Sequence, residues 1–221
     1  MREKIHTILM FLLLSPALCH ATNIAFYTDG VIQEGDEYVS VGVYNNARVD
    51  MTGGIVTNQL TTYDYSTLNA LGGLLEAIVS VEFSTVNLSG VVRIGGMTVE
   101  ESSAVNMFGG EVDSLKILKI GSSNPVNLYG GIISDYLLAT STVNIYGYDF
   151  QYNPLAGDYG GGQLTGFWLD DMPFSIDLYA VYNPPYVATI DTWSHVVLRE
   201  IPEPCTLALL AFGAIIRLRR R

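Results

Sequence analysis

The chain has 221 residues, of which 49% are hydrophobic and 15% are charged, and its formal net charge is −11. An acidic chain lacks the basic face that phosphate contacts require, so we expect no nucleic-acid partner. The two cysteines lie near the two ends, at Cys19 and Cys205, which excludes a disulfide framework, a cysteine nucleophile and a thiolate zinc site from the central region.

Residues 1–21 have the pattern of a secretory signal peptide. Arg2 and Lys4 precede an apolar run from Ile8 to Leu14, and the small-residue pattern Cys19-His20-Ala21 follows. We predict export through the Sec translocon and cleavage by signal peptidase after Ala21. The apolar run is far shorter than the roughly 20 residues of a spanning helix, which makes an uncleaved anchor the weaker alternative. A lipoprotein signal centred on Cys19 is disfavoured by Leu18, because that position calls for a small side chain.

Residues 22–45 are predicted to form an N-terminal β cap. The segment Tyr38-Val39-Ser40-Val41-Gly42-Val43 alternates in the manner of a half-buried strand. Such a strand would cover the open edge of the region that follows, where an unpaired edge invites aggregation.

A six-residue pattern recurs six times within residues 46–150. Each copy reads apolar, Asn or Asp, apolar, variable, Gly and usually a second Gly, and successive copies begin 19, 18, 19, 21 and 17 residues apart. The alternation predicts a short strand whose first residue points inward, whose Asn points outward, and which ends at a glycine turn. The copies begin at Val49, Leu68, Val86, Val105, Val126 and Val143.

This repeat predicts an all-β protein, a short right-handed parallel β-helix of about six coils with β caps, followed by a short apolar C-terminal helix. One unit cannot bury its apolar side alone, so the coils must stack about 4.8 Å apart, as a rod about 25 to 30 Å long. The alternative is an antiparallel β-sandwich in which the Gly-Gly pairs are hairpin turns. A sandwich gives no reason for one hexamer to recur at nearly constant spacing, which favours the solenoid.

Two outward columns of the repeat are candidate binding surfaces. The amide column could bind a polymer or could serve the fold alone through hydrogen bonds between coils. An aromatic column two residues further on could bind the rings of an exopolysaccharide or could stabilise the sheet by stacking. The amide column consists of Asp50, Asn69, Asn87, Asn106, Asn127 and Asn144, and the candidate surface-binding residues of the aromatic column are Phe108, Tyr129 and Tyr146.

Residues 151–200 depart from the repeat and are predicted to form a C-terminal β capping segment. Gly160-Gly161-Gly162 precedes the alternating run from Leu164 to Leu169. The turn Asp170-Asp171-Met172-Pro173 then leads into the second strand of a hairpin, from Phe174 to Leu178. The hairpin would block end-to-end aggregation of the last coil.

The central region offers little for catalysis. The candidate carboxylates Asp170, Asp171 and Asp177 are not part of a calcium-binding loop, so we expect no metal, no cofactor and no enzymatic activity. The alternative is a polysaccharide-binding or polysaccharide-lyase-like β-helix, and a lyase needs a base. The basic residues of 22–201 are only five against 20 acidic ones, a net charge of −15, and His195 is the one histidine there. The basic residues are Arg48, Arg93, Lys116, Lys119 and Arg199.

Residues 201–221 have three features in a fixed order. Pro202-Glu203-Pro204 is followed by the apolar stretch from Cys205 to Ile216 and by a basic cluster. Basic residues after an apolar stretch act as a cytoplasmic stop, which leaves the rest of the chain outside. The stretch is short for a hydrocarbon core of about 30 Å, as suits a transient anchor, and a buried or amphipathic helix is the alternative. The basic stop consists of Arg217, Arg219, Arg220 and Arg221.

This tail resembles the sorting signal of the PEP-CTERM family, and it is similar to the short tails also described as ice-binding-protein C-terminal domains. The resemblance covers the last 21 residues and implies recognition of Pro202, Glu203 and Pro204 by an exosortase-type membrane protease. It further implies an inner-membrane tether in transit and delivery to the cell surface or an extracellular matrix. We therefore expect a structural or adhesion protein of the cell envelope.

Overall fold

The computed structural model describes residues 22–119, 124–181 and 190–201. These residues form strands, turns and one short 3-10 helix, η1 (Thr192–His195), and they contain no α-helix. No helix in these ranges is long and apolar enough to cross a membrane. The predicted signal cleavage site at Ala21, the Pro202–Pro204 motif, the C-terminal helix and the basic stop lie outside the described residues.

Most strands are short because a turn follows each face of a coil. Two strands are longer because they continue from one face of the coil to the next. Valine, isoleucine, threonine and aromatic residues favour this conformation throughout. In chain order the strands are β1 (Thr22–Phe26), β2 (Gly30–Ile32), β3 (Glu37–Val43), β4 (Arg48–Met51), β5 (Ile55–Thr62), β6 (Thr67–Ser80), β7 (Thr85–Glu100), β8 (Ala104–Met107), β9 (Glu111–Leu118), β10 (Val126–Leu128), β11 (Ile132–Ala139), β12 (Val143–Asn153), β13 (Gly160–Phe167), β14 (Pro173–Val181), β15 (Ile190–Asp191) and β16 (Val196–Glu200).

Two parallel ladders run the length of the molecule. The first follows β2, β4, β6, β7, β8, β10, β12 and β16, and the second follows β1, β3, β5, β6, β7, β9 and β11. Strands β6 and β7 bend midway and belong to both ladders. The prediction of a β-solenoid of about six turns is confirmed, because every pairing within the two ladders is parallel.

The six copies of the hexamer lie in register. Each copy's first residue pairs with the first residue of the next copy, from Val49 with Leu68 to Val126 with Val143. All of these residues are completely buried, as the alternation predicts. Burial of one such side chain is worth about 1.5 to 3 kcal/mol, and it requires the adjacent coils. The column consists of Val49, Leu68, Val86, Val105, Val126 and Val143.

Residues 22–45 cover the first repeat by adding further coils of the same kind. Strand β1 pairs in parallel with β3, and β3 pairs in parallel with β5. The half-buried ring of Phe26 packs directly on Gly30 and against the buried core. An aromatic side chain thus covers the N-terminal end of the core.

The C-terminal segment forms the predicted hairpin and then rejoins the solenoid. Strands β13 and β14 pair antiparallel, and at their turn the Trp168 backbone N–H donates to the Met172 carbonyl over 2.9 Å. Strand β14 touches β11 at Leu178, and β16 adds a last parallel strand to β12. This last strand was not predicted, since it lacks the Asn and Gly of the template.

Glycines at the turn that follows the strands of the first ladder have positive φ angles, which residues with a side chain rarely adopt. Gly110 has φ of +88° and Gly131 has φ of +99°. A Cβ on Gly131 would also lie 2.9 Å from the Gly110 carbonyl oxygen of the neighbouring coil. In each of these two Gly-Gly turns, which the hexamer pattern predicts, the second glycine is therefore conformationally required.

We predict that Gly131→Ala lowers the free energy of unfolding by about 2 kcal/mol or more, because left-handed backbone strain adds to a backbone contact. Gly35→Ala separates the two causes, since Gly35 has φ of +92° but a Cβ there would meet no heavy atom within 4 Å. Gly35→Ala should cost about 1 kcal/mol. Gly96→Ala, at an ordinary φ with Ser114 Oγ at 3.4 Å, should be nearly neutral. Chemical denaturation measures the free energy of unfolding of all three variants. Equal losses would contradict the conclusion that positive φ and the backbone contact make Gly131 necessary.

Candidate functional site

The outward Asn residues form a continuous hydrogen-bonded ladder, called the amide ladder. Each Nδ2 donates to the Oδ1 of the preceding coil, from Asn69 to Asp50 at 2.6 Å through to Asn144 on Asn127 at 3.0 Å. The intermediate bonds are 2.8, 2.9 and 2.9 Å long. All donors therefore point toward the N-terminal end. The members are Asp50, Asn69, Asn87, Asn106, Asn127 and Asn144.

Each end of the amide ladder has a charged group of the appropriate kind. Asp50 is a pure acceptor at the N-terminal end, and the Arg48 guanidinium also donates to it over 3.0 Å. The hydrogen bond from Asn69, and then that from Arg48, lower the pKa of Asp50. At the other end the Arg199 guanidinium donates to Asn144 Oδ1 over 3.1 Å. The internal bonds account for the structural role of this column, while its binding role stays a prediction.

The predicted aromatic column is a face-to-face stack. Phe108 and Tyr129 have ring centroids 4.8 Å apart at 5°, and Tyr129 and Tyr146 are 4.3 Å apart at 17°. Both faces of the Tyr129 ring are therefore covered, and desolvation followed by a hydrogen bond with Tyr146 raises its pKa. Sugars usually stack on ring faces, so only ring edges and hydroxyls of Tyr129 are available to a ligand. Binding at this column stays a prediction.

Further aromatic stacks were missed in the sequence. Tyr27, Tyr44 and Tyr63 stack with centroids 5.0 and 4.7 Å apart, and Tyr65 stacks on Phe83 at 5.2 Å. Their spacings of 17, 19 and 18 residues carry the same period as the hexamers. The signal was present, but it lies in the turns outside the hexamer template.

A polar column in the same turns was also missed. Its members adopt positive φ, between 50° and 59°, and the side chain of one coil accepts a hydrogen bond from the backbone N–H of the coil before it. For example, the Asn45 N–H donates to Asp64 Oδ2 over 2.8 Å. These contacts make the column structural. It consists of Asn45, Asp64, Glu82 and Glu101.

The candidate carboxylates do not converge on one site. Asp170 Oδ1 accepts from the Met172 N–H at 3.3 Å, and Asp171 Oδ1 accepts from the Tyr148 hydroxyl at 2.6 Å. Asp177 lies within β14 and accepts from Gln163 Nε2 at 2.8 Å. Within the described ranges no three His, Cys, Asp or Glu side chains are grouped so that they could hold a metal ion.

The basic residues of the solenoid occupy unrelated environments. Arg93 is exposed beside Glu111 of the next coil, and Lys116 Nζ lies 5.9 Å from the ring centroid of Tyr136. Lys119 is buried, and its Nζ donates to the carbonyl oxygens of Ser103 and Asn124. Burial lowers the pKa of Lys119 to about 8. Its two carbonyl partners give it a structural role.

Tyr136 belongs to a second kind of aromatic cluster near the C-terminal cap. Its ring is tilted by 49° and 42° to those of Tyr159 and Tyr179, with centroids 4.8 and 5.3 Å away. The Tyr159 hydroxyl donates to Asp135 Oδ1, and this bond raises the pKa of Tyr159 to about 12. The cluster fixes the hairpin against β11.

Comparison with protein-family models, curated proteins and solved structures gives no match to this chain.

We predict that a carboxylate within the amide ladder destabilises the fold, whereas a carboxylate at its N-terminal end does not, because every amide donor points toward that end. Asn106→Asp removes the donor to Asn87 and sets two acceptors against each other, which should lower the free energy of unfolding by about 2 kcal/mol. The opposite exchange, Asp50→Asn, keeps an acceptor for Asn69 and loses only an exposed ion pair, so it should cost less than about 1 kcal/mol. Urea denaturation at neutral pH compares them. A cost for Asp50→Asn equal to that for Asn106→Asp would contradict the assigned direction.

Proposed function

We propose that this chain is an exported structural or adhesion protein of a bacterial cell envelope or extracellular matrix. In this proposal a PEP-CTERM/exosortase-type system sorts it, and it has no catalytic role. The observation that carries the proposal is the junction between rod and tail. Strand β16 ends at Glu200, the Ile201 N–H donates to the Gly147 carbonyl over 2.9 Å, and the Pro202-Glu203-Pro204 motif follows at once.

This junction supports a tether at the end of the rod. Strand β16 is the last strand of the first ladder, beyond β12, so the chain leaves the solenoid at its C-terminal end. A membrane protease would then find its motif directly beyond the folded body. The first coils would face away from the membrane, toward whatever the protein contacts.

The form of the folded body supports a role in adhesion rather than in catalysis. The candidate acids are spread over a turn and a strand, each with its own hydrogen-bond partner. The regular features are long columns of amides and rings that are repeated along the rod. Columns of this kind present one chemistry many times, which suits adhesion to a polymer.

Polysaccharide binding is the second candidate function. The specific observation in its favour is the aromatic column beside the amide ladder, where Arg199 follows Tyr146 in register. Ring edges, hydroxyls and amides together offer hydrogen bonds and apolar contact to a sugar chain.

We predict specific processing at both ends when the chain is expressed in a bacterium that has an exosortase-type protease. Mass spectrometry of the envelope-associated protein should find an N-terminus at Thr22 and a C-terminus within or just after Pro202–Pro204. Glu203→Ala should prevent the C-terminal cut, so that the arginines up to Arg221 are retained. Glu200→Ala, an exposed residue of β16, is the matched control and should be processed normally.

Deletion of the protease gene should have the effect of Glu203→Ala. If the wild type keeps its leader and stays in the cytoplasm, the export proposal is wrong. If Glu203→Ala and Glu200→Ala are processed alike, the motif does not direct the sorting.

A further inference from the structure

A shallow groove lies on the outer surface of the first coils, at the N-terminal end of the rod. It has a volume of about 440 Å³, within the range of about 300 to 1,000 Å³ that is usual for ligand sites. Strands β1, β3 and β5 line it together with the turns that follow them. The groove belongs to a different face from the amide ladder, since the ladder lies on β4, β6, β7, β8, β10 and β12.

The register of these strands gives the groove a floor of small residues. Ala25 pairs with Gly42, and Gly42 pairs with Thr61, so three successive coils contribute one small residue each. The Tyr44 ring lies over this floor. Its hydroxyl oxygen would be only 2.8 Å from a Cβ on Gly42. Tyr63 stacks on Tyr44 at 4.7 Å and 3°, so two rings form one side of the groove.

Amide side chains line the groove as well. Asn58 Nδ2 donates to Ser40 Oγ over 3.1 Å, and Gln59 Nε2 donates to Thr61 Oγ1 over 2.7 Å. An amide has two N–H donors and a carbonyl acceptor, so one internal bond each leaves both kinds of hydrogen bond for a ligand. The backbone of β3 is already paired on both sides, by β1 and β5, so an added peptide strand cannot pair with β3 at the centre of the groove.

The lining of the groove is uncharged although the surrounding chain is strongly acidic. None of its eleven residues is Asp, Glu, Lys, Arg or His, while residues 22–201 have a net charge of −15. The floor column continues from Thr61 through Val79 and Thr98 before it reaches a charge at Lys116. An ionised ligand would lose solvation here without gaining a partner, and an acidic polymer would be repelled by the whole chain.

We propose that this groove binds a segment of a neutral polysaccharide, lying along the rod axis across β1, β3 and β5. Sugar hydroxyls pair with Asn58, Gln59 and the tyrosine hydroxyls, and the apolar sides of the sugars contact the small floor residues. The proposal deepens the adhesion role and rests on it for its setting, with the groove at the opposite end of the rod from the tail.

The test is native affinity electrophoresis of the purified full-length protein through gels that contain dextran, galactomannan, hydroxyethyl cellulose or, as the acidic comparison, alginate. The groove variant is Asn58→Asp with Gln59→Glu, in which Ser40 and Thr61 can still donate to the new carboxylates. The matched control is Gln151→Glu with Asn153→Asp on the C-terminal cap, which adds the same charge at exposed positions. Thermal melts verify that both variants are folded.

We expect at least one neutral polysaccharide to retard the wild type and the control, and alginate to retard neither. The groove variant should bind about tenfold more weakly or not at all, because its carboxylates cannot donate hydrogen bonds to sugar hydroxyls as the two amides do. A tenfold loss corresponds to about 1.4 kcal/mol. Absence of retardation by every neutral polymer, or equal retardation of the groove variant and the control, would overturn the proposal. So would loss of binding in Tyr129→Ser/Tyr146→Ser with normal binding by the groove variant. The sorting test reads processed ends, so either proposal can fail alone.

Discussion

Stacking of one coil on the next in parallel register is the constraint on which this structure depends. A coil of about 19 residues forms a single layer of inward side chains. It cannot by itself cover the two sides of that layer that face along the rod axis. The neighbouring coil supplies both the apolar contacts and the partners for the backbone N–H and C=O groups. For this reason the same residue types recur in register, with Val105 between Val86 and Val126 in the core.

The same constraint explains the surface. Side chains in equivalent positions are held about 4.8 Å apart, so each outward column must consist of groups that tolerate their own kind. Asn satisfies this because an amide can donate to one neighbour and accept from the other, as Asn106 does with Asn87 and Asn127. Aromatic rings satisfy it by standing face to face, which gives stability but covers the faces that a sugar would use. The charged ends of the ladder, Asp50 and Arg199, close a row that would otherwise end in an unsatisfied donor or acceptor.

The sequence predicts those parts of the fold and of the candidate site that repeat. The hexamers reveal the amide ladder, the buried column and the corner glycines, because each of these depends only on the position within one coil. The sequence leaves the ring orientation at Tyr129 open, because an outward column of rings is compatible both with stacking between coils and with faces turned to a ligand. The return of β16 was also hidden, since it is fixed by contacts across a long excursion, such as the stacking of Trp193 on Tyr152 at 3.8 Å. The hexamer pattern does not predict the groove, because the lining residues belong to turns and strands outside the hexamers.

Disulfide trapping tests the parallel register most directly. In a background with Cys19 and Cys205 replaced by serine, Thr67→Cys/Thr85→Cys joins two residues that pair directly in adjacent coils. Such positions lie within the Cα separation of about 4.4 to 6.8 Å that a disulfide requires. Thr67→Cys/Ser89→Cys is the comparison, because those residues would be opposite each other only if the two strands were antiparallel. Mass spectrometry after mild oxidation should find the first pair bridged and the second pair reduced, whereas bridging of the second pair alone would contradict the solenoid.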